Sequence, residues 1–238
     1  EQLADAVGGR RTDDPRAWAL DAAESCPFAF VASMADVAID EWRPMIERGV
    51  RLLTIEPAVA RLDAVASPSA EVGSITRVPD IRRSPGWRAS GDAMESVGPA
   101  RSIAVTGGWP RREASLFVQL FDAWRAVIAL ADMPLTVDAS LVGAGHISGD
   151  DIRALRGDLA AHARLPGERS AVVHLSDRFA GVGRHISVTA RDGRWIVTDD
   201  TFTLIDDEGQ VIDGHVRDGA ERNDSPTDAF ARLIADHW

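Results

Sequence analysis

The first third of the chain alternates apolar runs of strand length with a stretch of helical spacing. PFAFVAS (27–33) and VRLLTIEP (50–57) are two largely apolar runs. Between them, apolar residues of Val37–Arg48 recur every three or four positions and Gly49 follows, which predicts a helix that ends at this glycine. Two buried strands joined by a helix are typical of parallel strands with a right-handed crossover. The pattern therefore predicts half of a Rossmann-like nucleotide-binding domain.

A polar, arginine-rich connection separates this region from the rest of the chain. Ser84-Pro85 has the residue types that begin a helix, and Gly98-Pro99 has those that end one. The change in character predicts a domain boundary within this connection. We therefore expect a partial nucleotide-binding domain at 1–62 and an α+β domain at 63–238.

The second domain is predicted to contain one long amphipathic helix and a set of short strands. The helix spans Arg112–Asp132, and a polar helix is also expected at 150–164. Short apolar runs follow, with Asp192-Gly193 and Glu208-Gly209 between neighbouring runs as tight hairpin turns. This predicts an antiparallel meander, so the fold class is α/β with a largely antiparallel open sheet packed on helices in the second domain. The core stripe of the long helix is predicted to be Phe117, Leu120, Phe121, Trp124, Val127, Ile128 and Ala131.

Composition excludes several classes of function. The net charge of −11 repels phosphates, so nucleic-acid binding is not expected. No apolar stretch approaches the roughly 20 residues of a membrane span and the first residues do not form a signal peptide, which predicts a cytoplasmic protein without membrane association. The single cysteine, Cys26, and the scattered histidines predict no metal site. All 26 basic residues are arginine, which excludes chemistry that depends on a lysine amine in this chain.

The order of these elements resembles the Gfo/Idh/MocA family, the glucose-fructose oxidoreductases and inositol dehydrogenases. PFAFVAS resembles the third Rossmann strand of that family, and ERGVRLLTIEPAVA resembles its segment ending in glutamate, lysine and proline. SLFVQLFDAWRAVIALADMP resembles the helix that carries an aspartate, a histidine and a second aspartate. The resemblance implies an NAD or NADP cofactor, a sugar or polyol substrate, and a homo-oligomer formed through the C-terminal sheet.

Three departures from the family pattern concern its chemistry. The glycine-rich dinucleotide fingerprint is expected upstream of Glu1, so the chain is predicted to be incomplete at its N-terminus. Glu56 stands in place of the family's catalytic lysine, and a carboxylate would oppose the oxyanion that an ammonium favours. Val118, Asp122 and Arg125 stand in place of its aspartate, histidine and aspartate, on a face predicted to turn away from the core stripe.

The resemblance leaves two interpretations open. In the first, the protein is an active oxidoreductase with Asp122 as the base, Glu56 near the nicotinamide, and Val118 and Arg125 facing the substrate. In the second, it is a catalytically inactive relative that serves as a ligand-binding or assembly protein. The cofactor-binding residues implied by the resemblance are Ser33, Met34, Glu56 and Pro57.

Two histidines are the only ones expected to come close together. His174 and His185 lie on successive predicted strands and could meet across the sheet, where a plain cross-strand contact is the favoured interpretation.

Overall fold

The computed structural model describes residues 28–31, 43, 45–54, 75–77, 81, 84–110, 116–143 and 155–216, and the chain divides into two compact units. Unit 1 comprises Glu1–Pro79 and Gly219–Trp238, and unit 2 comprises Asp80–Asp218. The sequence placed the boundary between residues 62 and 63, and both of these residues lie outside the described part of the chain. That boundary stays a prediction.

Unit 1 contains a three-stranded parallel sheet. Its order is β1-β2-β3, with β1 at Phe28–Val31, β2 at Arg51–Thr54 and β3 at Ile75–Arg77. Leu52 and Leu53 are buried, as expected for a strand covered on both faces. Residues 45–47 of the predicted helix are helical, and Gly49 follows with a φ of +80°, a conformation that glycine adopts without strain. The predicted parallel pairing of the two apolar runs is confirmed.

Unit 2 is built on an eight-stranded sheet in the order β11-β10-β9-β8-β4-β7-β6-β5. Neighbouring strands are antiparallel except β4 and β7, which are parallel. The predicted open, largely antiparallel sheet is therefore confirmed. The strands are β4 (Ala100–Pro110), β5 (Thr136–Val142), β6 (Asp158–Leu165), β7 (Arg169–Ser176), β8 (Arg178–Ala190), β9 (Gly193–Thr198), β10 (Thr201–Asp206) and β11 (Val211–Val216).

Three described helices belong to unit 2: α1 (Pro85–Ala89), α2 (Gly91–Ser96) and α3 (Leu116–Ala131). The Ser84 hydroxyl caps α1 by accepting a hydrogen bond of 3.3 Å from the Trp87 backbone N–H, and Pro85 occupies the first turn. Gly98 follows α2 with a φ of +79°. Both helix signals in the sequence are thus confirmed.

Helix α3 packs on β4 and β7 through a face that is rotated from the predicted one but still buries Phe117, Val127 and Ala131 of the predicted stripe. Phe121 and Ile128 of the predicted stripe are each 36% exposed, whereas Ala123 and Ala126 are buried. The small alanines let the helix approach the sheet closely, which leaves some larger side chains at the flanks. As a result Asp122, which was expected to turn away from the core, is buried at 7% exposure.

The prediction of a helix at 150–164 was wrong for its described part. Residues 158–165 form β6, in which Leu159, Ala161, Ala163 and Leu165 are buried while the residues between them are more exposed. This period of two is the strand pattern, but three alanines at 160, 161 and 163 obscure it because alanine also favours helices.

The predicted hairpin turns are confirmed. Arg191 and Asp192 connect β8 to β9, which begins at Gly193, and Gly209, with a φ of +84°, lies between β10 and β11. At the first turn the Arg191 guanidinium donates hydrogen bonds to the Asp192 carboxylate and thereby lowers the pKa of that carboxyl. Because the ionised form is favoured, this surface interaction is lost as the pH falls through that pKa.

Candidate functional site

A partly open cavity in unit 2 lies between α3 and the sheet. Gln119, Asp122 and Ala123 line it from the helix, and Gly107 and Arg184 line it from β4 and β8. These helix residues share a face because they are three or four positions apart. The cavity volume is about 20 Å³, which is room for about one water-sized group.

Glycines in β4 leave the space for this cavity. A Cβ atom on Gly107 would lie 3.2 Å from Cδ2 of Leu175 and 4.0 Å from Cγ of Arg184. Gly108 also lines the cavity. Both glycines belong to β4, and their lack of side chains keeps the sheet open below α3.

Arg184 joins two carboxylates beside the cavity. Its Nη1 donates a hydrogen bond of 3.2 Å to Asp122 Oδ2, and its Nε donates one of 2.9 Å to Asp199 Oδ1. Its Nη2 also donates to Asp199 Oδ1. The side chains of Arg184 and Asp122 are 15% and 9% exposed, so the pair is largely removed from water. The pair is therefore joined by charge-assisted hydrogen bonds inside the fold.

The same cluster is connected to helix α1 through the backbone. The Gly86 N–H donates a hydrogen bond of 3.1 Å to the carbonyl oxygen of Asp199. Asp199 lies in the connection between β9 and β10, and the hydroxyls of Thr198 and Thr201, which flank this connection, lie 2.8 Å apart. The position of the Asp199 carboxylate is therefore set by β9, β10 and α1 together.

Gln119 is a buried polar residue on the wall of the cavity. It is 5% exposed, and within the described part of the chain neither Nε2 nor Oε1 has a hydrogen-bond partner. Leaving a buried polar group unpaired costs roughly 1–3 kcal/mol. An unpaired amide at the wall of a cavity is thus a candidate for contact with a bound group.

The structure brings one of the predicted site residues to this cavity. Asp122 lines it, whereas Val118 and Arg125 are half-buried and are not among the residues that line it. The Arg125 guanidinium carbon lies 5.7 Å from the centroid of the Phe121 ring. The other predicted site residues, Ser33, Met34, Glu56 and Pro57, lie outside the described residues.

Sequence reasoning missed Gln119 and Arg184. Gln119 is the only carboxamide in α3 and lies three residues before Asp122, so the helical spacing could have found it. Arg184 is 62 residues from Asp122, and its role depends on the pairing of β4 with β8. No local signal marks it in the sequence.

The two histidines expected to meet are separated by a strand. His174 of β7 and His185 of β8 both pair with Thr106 of β4, so β4 lies between them. The prediction of direct contact was wrong because it treated strands close in sequence as neighbours in the sheet. No group of three or more His, Cys, Asp or Glu that could hold a metal ion occurs among the described residues.

A parallel nucleotide-binding-type sheet, followed by a long helix packed on a large, mostly antiparallel open sheet, is the fold of the Gfo/Idh/MocA-type oxidoreductases. Solved structures confirm this resemblance at the level of the fold. The chain is similar to UDP-N-acetylglucosamine 3-dehydrogenase GnnA from Acidithiobacillus ferrooxidans, with 17% identity, a TM-score of 0.64, and coverage of 99% of this chain and 77% of that one.

Two further structures with the same fold were solved with ligands. Levoglucosan dehydrogenase in complex with NADH and levoglucosan has 12% identity and a TM-score of 0.71, covering 98% of this chain and 75% of that one. Biliverdin reductase from Synechocystis, in complex with biliverdin and NADP+, has 15% identity and a TM-score of 0.61, covering 97% and 77% respectively. At these identities the similarity is one of fold. No protein-family model and no curated protein sequence matches the chain.

None of the described helices has the length and apolar character needed to cross a membrane.

Proposed function

We propose that this protein is an NAD- or NADP-dependent oxidoreductase that acts on a sugar or polyol. The observation that carries the proposal is the fold shared, over 98% of the chain, with a dehydrogenase solved with NADH and levoglucosan. The buried polar cluster of Gln119, Asp122 and Arg184 on the wall of a cavity supports it. The nucleotide would supply the hydride chemistry, and the chain would bind and orient the hydroxyl that reacts.

The parallel sheet of unit 1 fits a nucleotide cofactor. In open α/β sheets, ligands bind beyond the carboxyl ends of parallel strands. Ser33 and Met34 follow the end of β1 by two and three residues, and Glu56 and Pro57 follow the end of β2 by the same steps. Since β1 and β2 are parallel neighbours, their carboxyl ends lie at one edge of the sheet. We therefore propose these four residues as the cofactor-side residues, with Glu56 nearest the nicotinamide.

Asp122 is the proposed base, with Val118 and Arg125 as the proposed substrate-facing residues on the same helix. The Asp122 carboxylate would accept the proton of the substrate hydroxyl while the nucleotide accepts the hydride. The ion pair with Arg184 holds the Asp122 carboxylate in place, and the hydrogen bond from Nη1 of Arg184 uses part of the capacity of that carboxylate to accept one from a substrate.

That same pair is the observation that favours a second candidate function. A carboxylate bound to a guanidinium is better suited to binding than to proton transfer. In addition, the chain contains no lysine that could take the role of the family's catalytic lysine. The alternative is a catalytically inactive relative that binds a ligand or supports an assembly.

The edges of the unit 2 sheet support self-association. Val137 and Val142 of β5 are 48% and 66% exposed, and Val211 and Ile212 of β11 are 67% and 57% exposed. Exposed apolar residues on edge strands favour pairing with another chain. We therefore propose a homo-oligomer formed through the C-terminal sheet. The cytoplasmic location stays a prediction.

Nucleotide binding tests the proposed function directly. The complete natural chain is titrated with NADH and with NADPH while the fluorescence of its seven tryptophans is followed. We expect one of the two nucleotides to change the fluorescence saturably, because the proposed cofactor-side residues follow parallel strand ends. Free adenine, which lacks the ribose, phosphate and nicotinamide groups of the two nucleotides, serves as the control ligand. Failure of both nucleotides to bind would contradict the oxidoreductase and leave the inactive relative as the better account.

A further inference from the structure

The carboxamide of Gln119 has hydrogen-bonding capacity that no described residue uses. We propose that Gln119 is a specificity-determining residue that recognises one uncharged hydroxyl group of a bound sugar or polyol. The inference rests on the proposed function, which it deepens by naming a residue that selects the substrate. A carboxamide offers both a donor and an acceptor, and a hydroxyl group can satisfy both.

The size of the cavity favours a hydroxyl over a larger group. A volume of about 20 Å³ admits about one water-sized group. A hydroxyl oxygen with its hydrogen has that size, whereas a carboxylate or carboxamide is larger. The cavity therefore takes one polar group of a ligand whose remainder lies outside it.

The charges beside the cavity favour an uncharged group. The described cluster contains one guanidinium, that of Arg184, and two carboxylates, those of Asp122 and Asp199. Arg184 already donates to both carboxylates, so an anionic group would lie beside two carboxylates and a guanidinium whose hydrogen bonds are engaged. Gln119 is the remaining polar side chain on the helix face, and it is neutral.

The strand below α3 preserves the space that this recognition requires. Gly107 lines the cavity, and a methyl group on it would extend toward Leu175 and Arg184. Gly107→Ala is therefore a way to fill the space while leaving the Gln119 amide in place.

The side-chain amide of Gln119 can be observed directly. The chain contains three glutamines, Gln2, Gln119 and Gln210, and one asparagine, Asn223, so few side-chain amide signals occur in a ¹⁵N spectrum. The labelled, complete chain is titrated with D-glucose, myo-inositol and levoglucosan as neutral probes and with D-gluconate as the anionic probe. We expect at least one neutral probe to shift the Gln119 signal saturably, with gluconate weaker and the exposed Gln210 signal unchanged.

Two glutamine variants separate recognition from a structural role. Gln119→Met removes an unpaired buried amide, so we expect the Tm of the ligand-free protein to rise while binding of the neutral probe weakens roughly tenfold, the equivalent of one hydrogen bond. Gln210→Met, at an exposed position, is the matched control and should change neither. Gly107→Ala should weaken the same probe without removing the amide signal.

Three outcomes would overturn the proposal. The first is a Gln119 signal that none of the neutral probes moves, and the second is binding that survives Gln119→Met unchanged. The third is a lower Tm for ligand-free Gln119→Met, which would indicate an amide satisfied within the protein, for example by ordered water. A Gln119 signal that responds to a neutral probe in a protein that binds neither NADH nor NADPH would support this site and contradict the proposed oxidoreductase.

Discussion

Replacing Gly86 with alanine is expected to lower the free energy of unfolding by about 3 kcal/mol. The new Cβ atom would lie 2.4 Å from the carbonyl oxygens of Thr198 and Thr201 and 2.8 Å from the Thr201 nitrogen. All three atoms belong to the backbone, so no side-chain rotation relieves the overlap. The gain in helix propensity from glycine to alanine, about 1 kcal/mol, does not offset it.

Gly91→Ala is the matched control for this substitution. Gly91 lies in α2, and a Cβ atom there would have no heavy atom within 4 Å. We expect this variant to be as stable as the parent or slightly more stable. Urea denaturation followed by tryptophan fluorescence measures both variants, and equal effects at the two positions would contradict the close approach of α1 to the β9–β10 connection.

The Gly86 substitution should also affect the site. Because the Gly86 N–H donates to the Asp199 carbonyl, displacement of α1 would move the carboxylate that Arg184 binds. Ligand binding in the Gly86→Ala variant should therefore weaken even under conditions in which the protein remains folded.

The second large effect is expected for Arg184→Met. Methionine retains much of the apolar length of the side chain but removes the guanidinium that binds the buried Asp122 carboxylate. Breaking a buried ion pair by removing one partner costs about 3 kcal/mol. The control is Arg191→Met, since Arg191 pairs with Asp192 at the surface, with side chains 65% and 49% exposed. It should change the stability little.

A double variant distinguishes the loss of the pair from the loss of packing. Arg184→Met combined with Asp122→Asn removes both charges, so the double variant should be less destabilised than the sum of the single variants by roughly 1–2 kcal/mol. Strict additivity in urea denaturation would show that the two side chains do not interact in the folded protein.

The sequence predicts the fold where the signal is local. The strands at 28–31 and 51–54 are apolar runs, the Ser84-Pro85 start of α1 is a capping signal, and Asp192-Gly193 marks a hairpin turn. Each of these depends on a few adjacent residues whose preferences agree with the final structure.

The predictions from the sequence are wrong where tertiary packing determines the local structure. The rotation of α3 depends on how closely Ala123 and Ala126 approach the sheet, which the periodicity of larger residues does not reveal. β6 reads as a helix because its buried residues include alanines. The strand order explains the histidine error, since β4 inserts between β7 and β8.

In the candidate site, too, some residues could be predicted from the sequence and others could not. Asp122 was predicted because the resemblance marks its position on the helix, and it does line the cavity. Arg184 could not be predicted because its partner is 62 residues away and is brought to it by sheet pairing. The roles of Glu56, Ser33, Met34 and Pro57 stay predictions.

Turnover tests the central claim most directly. Sugars and polyols are screened with NAD+ and NADP+ for growth of the reduced-nicotinamide absorbance, using the parent, Glu56→Lys and the control Glu47→Lys at an exposed position. We expect the parent protein to turn over slowly and Glu56→Lys to raise this rate about tenfold. That increase is smaller than the roughly 10²-fold in rate that one well-placed hydrogen-bond donor to an oxyanion contributes. Glu47→Lys should leave the rate unchanged. Absence of turnover in all three proteins across the panel would contradict the oxidoreductase.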